Sequence, residues 1–148
     1  MTKKTFGILA AGVLLGGMLF LGVGYAAQQA PNDMTMDSKV FTKHTKPLVT
    51  FAHRKHNQDF KIACMECHHV FKDGKNVWKE GDQVQRCEAC HSEAKPPTGK
   101  DAPSMSKQEK IKKYYYTAIH ENCVGCHKAE KKKGKHAPTA CKDCHSKK

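Results

Sequence analysis

The chemistry-bearing residues of this 148-residue chain are its eight cysteines and ten histidines. Every cysteine falls in a repeat of the form Cys-x-x-Cys-His. The four copies are Cys64, Cys67 and His68; Cys87, Cys90 and His91; Cys123, Cys126 and His127; and Cys141, Cys144 and His145. Two cysteines three apart lie on one side of a helical turn. Both sulfurs can then add to the vinyl groups on one edge of a porphyrin, and the histidine that follows is placed to swing beneath the ring and bind its iron. This is the attachment signature of c-type haem. An even cysteine count in a secreted chain also fits a disulfide framework, and four Cys-x-x-Cys pairs could build two Cys₄ zinc sites. Neither alternative needs a histidine after every second cysteine. Thiolate zinc sites also belong to reducing compartments. Four covalent haems use every cysteine and explain every trailing histidine.

Each iron then needs a sixth ligand or an open position, and that choice separates electron carriage from catalysis. Six histidines remain: His44, His53, His56, His69, His120 and His136. Met34, Met36, Met65 and Met105 are the available thioethers. So many surplus histidines in so short a chain point to bis-histidine ligation throughout, hence to low potentials and to irons with no place for substrate. No catalytic residue is expected. Adjacent residues cannot face one iron, so if His68 serves its own haem, His69 must serve another. His53 and His56, three apart in His-Arg-Lys-His, could likewise serve two haems.

With these residues in view, the chain resembles the class III multihaem cytochromes c, small tetrahaem periplasmic carriers of sulfate-reducing and related bacteria. The resemblance rests on an apolar strand leading into two histidines three apart (Val49-Thr-Phe-Ala-His53-Arg-Lys-His56), then Cys-x-x-Cys-His-His. A second haem motif follows, then a helix with a histidine shortly before the third motif, and a fourth motif at the carboxyl end. It covers roughly residues 46–146. It implies that His53 pairs with His68 on the first haem, His69 with His91 on the second, His56 with His127 on the third, and His120 with His145 on the fourth. Family members often have four residues between the cysteines of the second and fourth motifs, whereas all four motifs here have two. His120 lies only three residues before Cys123, so His136, five before Cys141, is its rival on the fourth haem. His44 and His136 are otherwise expected to face solvent or bond propionates.

The elements that must position these groups are modest. Residues 1–27 begin with Lys3 and Lys4, run uncharged from Phe6 to Ala27, and end in small residues. They read as a signal peptide or as an uncleaved membrane anchor, since 22 uncharged residues are long for a signal core and long enough to span a bilayer. Either way the remainder is exported. Beyond position 27 the only leucine is Leu48, too little aliphatic volume for a self-sufficient core. Residues 28–45 read as a flexible lead-in and 46–148 as the haem-bearing domain. Leu48 to Phe51 can form a short strand, and Asp73-Gly74 marks a hairpin turn. Residues 92–106, with three prolines and Gly99, should be loop. Ser106-Lys-Gln-Glu109 matches a capping box opening a helix from about Lys107 to His120. Short helices should carry each haem motif, with Trp78 and Tyr114, Tyr115 and Tyr116 packing on porphyrin. The expected fold is mainly α with long loops and a short N-terminal β-hairpin, wrapped around four covalent c-type haems that supply most of the apolar centre.

The formal charge is +12 and the pI about 9.4. Eight lysines against two acids lie between Cys123 and the end, a positive rim around the last haem suited to an acidic redox partner. In the resembled family such a surface receives electrons from periplasmic hydrogenase and passes them to membrane redox complexes. Nucleic acid is excluded as a partner by export. The expectation is a monomeric electron carrier of the periplasm, touching the membrane only if residues 6–27 are retained. Its competitors are a membrane-anchored tetrahaem quinol-oxidising subunit and a small multihaem reductase with one open iron.

Overall fold

The computed structural model describes residues 31–146. The leader expected at 1–27 lies outside them. Among the described residues, no helix is long and apolar enough to cross a membrane.

Strand β1 (Met34–Thr35) pairs antiparallel with β2 (Thr50–Phe51), Met34 opposite Phe51 and Thr35 opposite Thr50. Met36 N–H donating to Val49 O and Arg54 N–H donating to Asn32 O extend the ladder at either end. The segment expected to be a flexible lead-in is therefore tied down where it is described. Ser38 is buried, Phe41 sets its ring edge-on against Tyr115 at 5.8 Å, and the Arg86 guanidinium donates to the Asp37 carbonyl. Its sequence lacks a hydrophobic period because backbone pairing and single contacts, not an apolar face, hold it.

A second antiparallel pair, β3 (Phe71–Lys72) and β4 (Lys75–Asn76), closes through Asp73 and Gly74 at φ 51° and 75°. Positive φ at both central positions gives the twist a two-residue hairpin requires.

The Ser106 capping box forms as its spacing predicts. Glu109 N–H donates to Ser106 Oγ, and Ser106 N–H donates to the Glu109 carboxylate. The single helix expected from Lys107 to His120 divides, however, into α1 (Lys107–Lys113) and α2 (Tyr115–Lys132). Residues 93–94 wedge against the junction. Tyr115 and Tyr116 N–H donate to the Glu93 and Ala94 carbonyls at 2.7 and 3.0 Å, and Glu93 N–H donates to Lys113 O at 3.2 Å. The free amides of α2's first turn and a free carbonyl of α1's last turn are thus satisfied by one passing segment. Tyr114 stays extended there, and both it and Tyr115 are buried. Helix α2 then runs on through the third cysteine motif. A last short helix, α3 (Cys141–Cys144), carries the fourth.

Trp78, Tyr114, Tyr115 and Ala118 are the buried apolar residues among those described. Phe60, Phe71 and Val84 are each more than half exposed. Elements so short, around so few buried side chains, do not make a protein-only core.

Tyr115 gives the fold a pH signature. Burial pushes its phenol up to about 12 from its ordinary 10. The folded state favours the neutral phenol, so this contribution is full below pH 10 and is lost between about pH 10 and 12. Tyr115→Phe should flatten that part of a thermal-midpoint-against-pH curve. An unchanged slope between wild type and variant would contradict it.

Candidate haem and metal centres

All four motifs take the same local geometry on different scaffolds. The first and second sit on single 3₁₀ turns, Cys64–Glu66 and Cys87–Ala89, the third lies inside α2, and the fourth is α3 itself. In the first, second and fourth, the histidine N–H donates to the carbonyl of the first cysteine at 2.8–3.0 Å, closing a helical turn. That turn is what puts two sulfurs and an imidazole on one side. The eight thiols are unpaired. Burial pushes Cys123 up to about 11, and Cys67, Cys144 and Cys87 lie close enough to add to the shift. Cys67 is raised by burial first and by Cys126 next. Cysteines of the first three motifs, with Cys144 of the fourth, therefore lie near one another in the fold. Among the described residues, no three side chains of His, Cys, Asp or Glu converge as ligands of one metal ion.

The imidazoles instead come in twos. Ring centroids lie 6.2 Å apart for His53 and His68, 6.0 Å for His69 and His91, 6.1 Å for His56 and His127, and 6.4 Å for His120 and His145. Two metal–nitrogen bonds of about 2 Å plus two ring radii of about 1 Å span about 6 Å, so each gap admits one metal ion between two ring nitrogens. His68 and His69 diverge to different partners, as do His53, just ahead of the π-helical turn Lys55–Asp59, and His56 inside it.

Backbone carbonyls orient five of the eight rings through Nδ1. His56 donates to Ala52 O, His91 to Lys112 O, His120 to Tyr116 O, His127 to Pro138 O, and His145 to Pro47 O, at 2.7–3.2 Å. A carbonyl only accepts, so Nδ1 carries the proton and Nε2 keeps its lone pair for a metal. Burial, with His53 and His69 close by, pushes His68 below its ordinary 6.5, toward the neutral ligating form.

The remaining histidines stand apart. His44 Nε2 lies 3.2 Å from the Asp37 carboxylate, which requires that nitrogen to hold its proton. His136 is exposed beside Lys131, Lys135 and Asp143 on an open groove, and it is His120 that faces His145. Of the methionines, Met105 receives the Tyr114 hydroxyl at 3.8 Å.

Asn76 has a positioning role that the sequence did not mark. Its Nδ2 donates to His68 O at 3.1 Å, and its Oδ1 accepts from Val70 N–H and Trp78 N–H at 3.0 and 3.1 Å. One amide thereby ties the hairpin to the backbone of the His68-His69 pair. Asn76→Ala leaves these groups without their partner and should cost about 1–3 kcal/mol of stability, read as a lower denaturant midpoint. A midpoint equal to wild type would count against this role.

The model of the class III cytochrome c family matches residues 26–145. The chain belongs to the class III cytochrome c family. It is thus a multihaem electron-transport protein with covalently bound haem c. One relative, cytochrome c3 of Maridesulfovibrio salexigens, is 36% identical over 125 residues, covering 80% of this chain and 97% of its own. Another, the 26 kDa cytochrome c3 of Desulfomicrobium norvegicum, is 32% identical over 122 residues, covering 79% and 96%. The residues of this cytochrome fit haem c. The paired imidazoles leave room for one iron between two ring nitrogens, each trailing histidine lies one turn from its cysteine pair, and apolar side chains such as Phe60, Phe71 and Val84 are left uncovered by protein.

Proposed function

We propose that this cytochrome is a periplasmic carrier with four covalent haems, each held by two histidines, which moves electrons between an acidic donor such as hydrogenase and membrane redox complexes. The cysteine pairs Cys64 and Cys67, Cys87 and Cys90, Cys123 and Cys126, and Cys141 and Cys144 carry the four haems. The axial pairs are His53 with His68, His69 with His91, His56 with His127, and His120 with His145. The observation that carries this reading is the common separation of the four imidazole pairs, 6.0–6.4 Å. Bound haem supplies one-electron chemistry at iron. The chain supplies ligation, spacing and a dry surround. With both axial positions filled, substrate has no entry, so the protein is a carrier and not an enzyme.

Charge supports the partner class. Glu130 is held down to about 2 by hydrogen bonds from Lys133 and Lys135, so it stays ionised and offsets part of the local positive charge. Lys128, Lys131, Lys132 and Lys142 add further positive charge around the fourth motif. An acidic partner docking there is steered, and its electron-transfer rate falls with added salt.

A haem count with low-temperature electron paramagnetic resonance tests the proposal. It requires four haems per chain, all low-spin, and no rapid carbon monoxide binding when reduced. Fewer than four haems, or one iron that takes carbon monoxide, overturns it. Amino-terminal sequencing of the mature protein tests export as a soluble carrier, and an intact Met1 with detergent-dependent solubility would sink that part.

A further inference from the structure

The four imidazole pairs share a spacing but not an orientation. The ring planes meet at 23° for His56 and His127 and at 25° for His120 and His145. They cross at 59° for His53 and His68 and at 73° for His69 and His91. The division follows what holds each ring. All four imidazoles of the near-parallel pairs have Nδ1 bound to a backbone carbonyl. In the first pair, His53 and His68 face Phe51 and Trp78 instead. In the most crossed pair only His91 meets a carbonyl, that of Lys112. His69 rests against Phe71, with ring centroids 5.3 Å apart and 38° between the planes. Phe71 is itself fixed in β3 opposite Asn76, whose side-chain amide donates to His68 O. At 65% exposed, Phe71 takes no part in a protein core.

We propose that Phe71 is a positioning residue, whose ring holds the His69 imidazole across that of His91 and so gives the second haem a different axial geometry from the third and fourth. The proposal rests on ligation of the second iron by His69 and His91. The π system of an axial imidazole raises the iron dπ orbital that lies perpendicular to its ring plane. Two parallel rings raise the same orbital and split the dπ pair, whereas crossed rings raise one each and leave the pair nearly equal. Ferric iron has one dπ electron fewer than ferrous iron, and it gains from the splitting by leaving the raised orbital half-filled. Crossing removes that gain. Phe71 thereby pushes the potential of the second haem upward through a ligand that it orients, the kind of outer-shell control by which a protein tunes its metal.

The test is electron paramagnetic resonance of the fully oxidised holoprotein, with haem methyl proton shifts assigned through the thioether protons at Cys87 and Cys90 to identify the second haem. Parallel rings give a rhombic low-spin spectrum, and crossed rings a single, far more anisotropic low-field line. The second haem should show the crossed type, and the third and fourth the rhombic type. Phe71→Leu keeps an apolar side chain but removes the flat face. Four low-spin haems should persist, the crossed line should move toward the rhombic position, and one reduction step should fall in potential. Phe60→Leu is the control. Phe60 also faces an axial ring, His56 at 6.0 Å, but that ring is held by Ala52 O at 2.8 Å, so the third haem should not change. A rhombic second haem in the wild type, or a crossed line unmoved in Phe71→Leu, overturns the role of Phe71 and leaves the ligation intact. A second haem that is high-spin or takes up carbon monoxide overturns the ligation beneath it.

Discussion

His69→Met should raise the potential of one haem by on the order of 0.1 V while leaving four haems attached, because a thioether stabilises ferrous iron relative to imidazole within the roughly 0.8 V range that axial ligands command. The effect is large because His69 sits opposite His91 at 6.0 Å and its neighbour His68 is committed elsewhere, opposite His53. His69 is also exposed, and its Nδ1 has no backbone partner to lock the ring. A flexible thioether in its place can therefore reach the same gap. Redox titration followed optically for each haem reads the result. His136→Met and His44→Met serve as controls and should leave all four steps in place, since His136 is solvent-exposed and His44 is engaged by Asp37. Four unchanged potentials in the His69 variant would remove it from the ligand set.

The second large effect concerns the whole fold. Chain produced without haem attachment is expected to lack cooperative structure, losing most of its helical circular dichroism and becoming cleaved throughout residues 31–146 by proteases that spare the holoprotein. Strands of two residues and 3₁₀ turns of three cannot stand alone. Even α2, 18 residues long, has only Tyr115 and Ala118 buried and would lie near the margin of isolated helix stability. Removing one haem through Cys123→Ala with Cys126→Ala tests the graded version. That haem would sit on the longest helix, between α2 and the His56 turn. A haem-free chain with a sharp, native-like thermal transition would refute the idea that porphyrin replaces the core.

The sequence was most legible where chemistry demands fixed spacing. The cysteine motifs and the Asp73-Gly74 turn could be read locally, because one helical turn or two positive φ angles define each, whereas the histidine pairings came from the family resemblance and not from local spacing. The Ser106 capping box was equally visible. The break at Tyr114 was not, since Lys107 to His120 is a continuous helical pattern and the cause lies in residues 93–94, which are remote in sequence. The anchoring of residues 34–41 was hidden for the same reason. Asn76 and the carbonyls of Pro47, Lys112 and Pro138 left no signal at all. A carbonyl is present in every residue, and only the fold decides which one meets an imidazole.

One of those carbonyls has a consequence for how the molecule is finished. His145 leans on Pro47 across 98 residues of sequence. Pro47 is made well before His145 during synthesis. On the proposed ligation, the fourth iron acquires its oriented ligand only when the tail has come home to the head. Its spectrum is then a gauge of chain closure, and a displacement of Pro47 would be read out at the far end of the 98-residue loop.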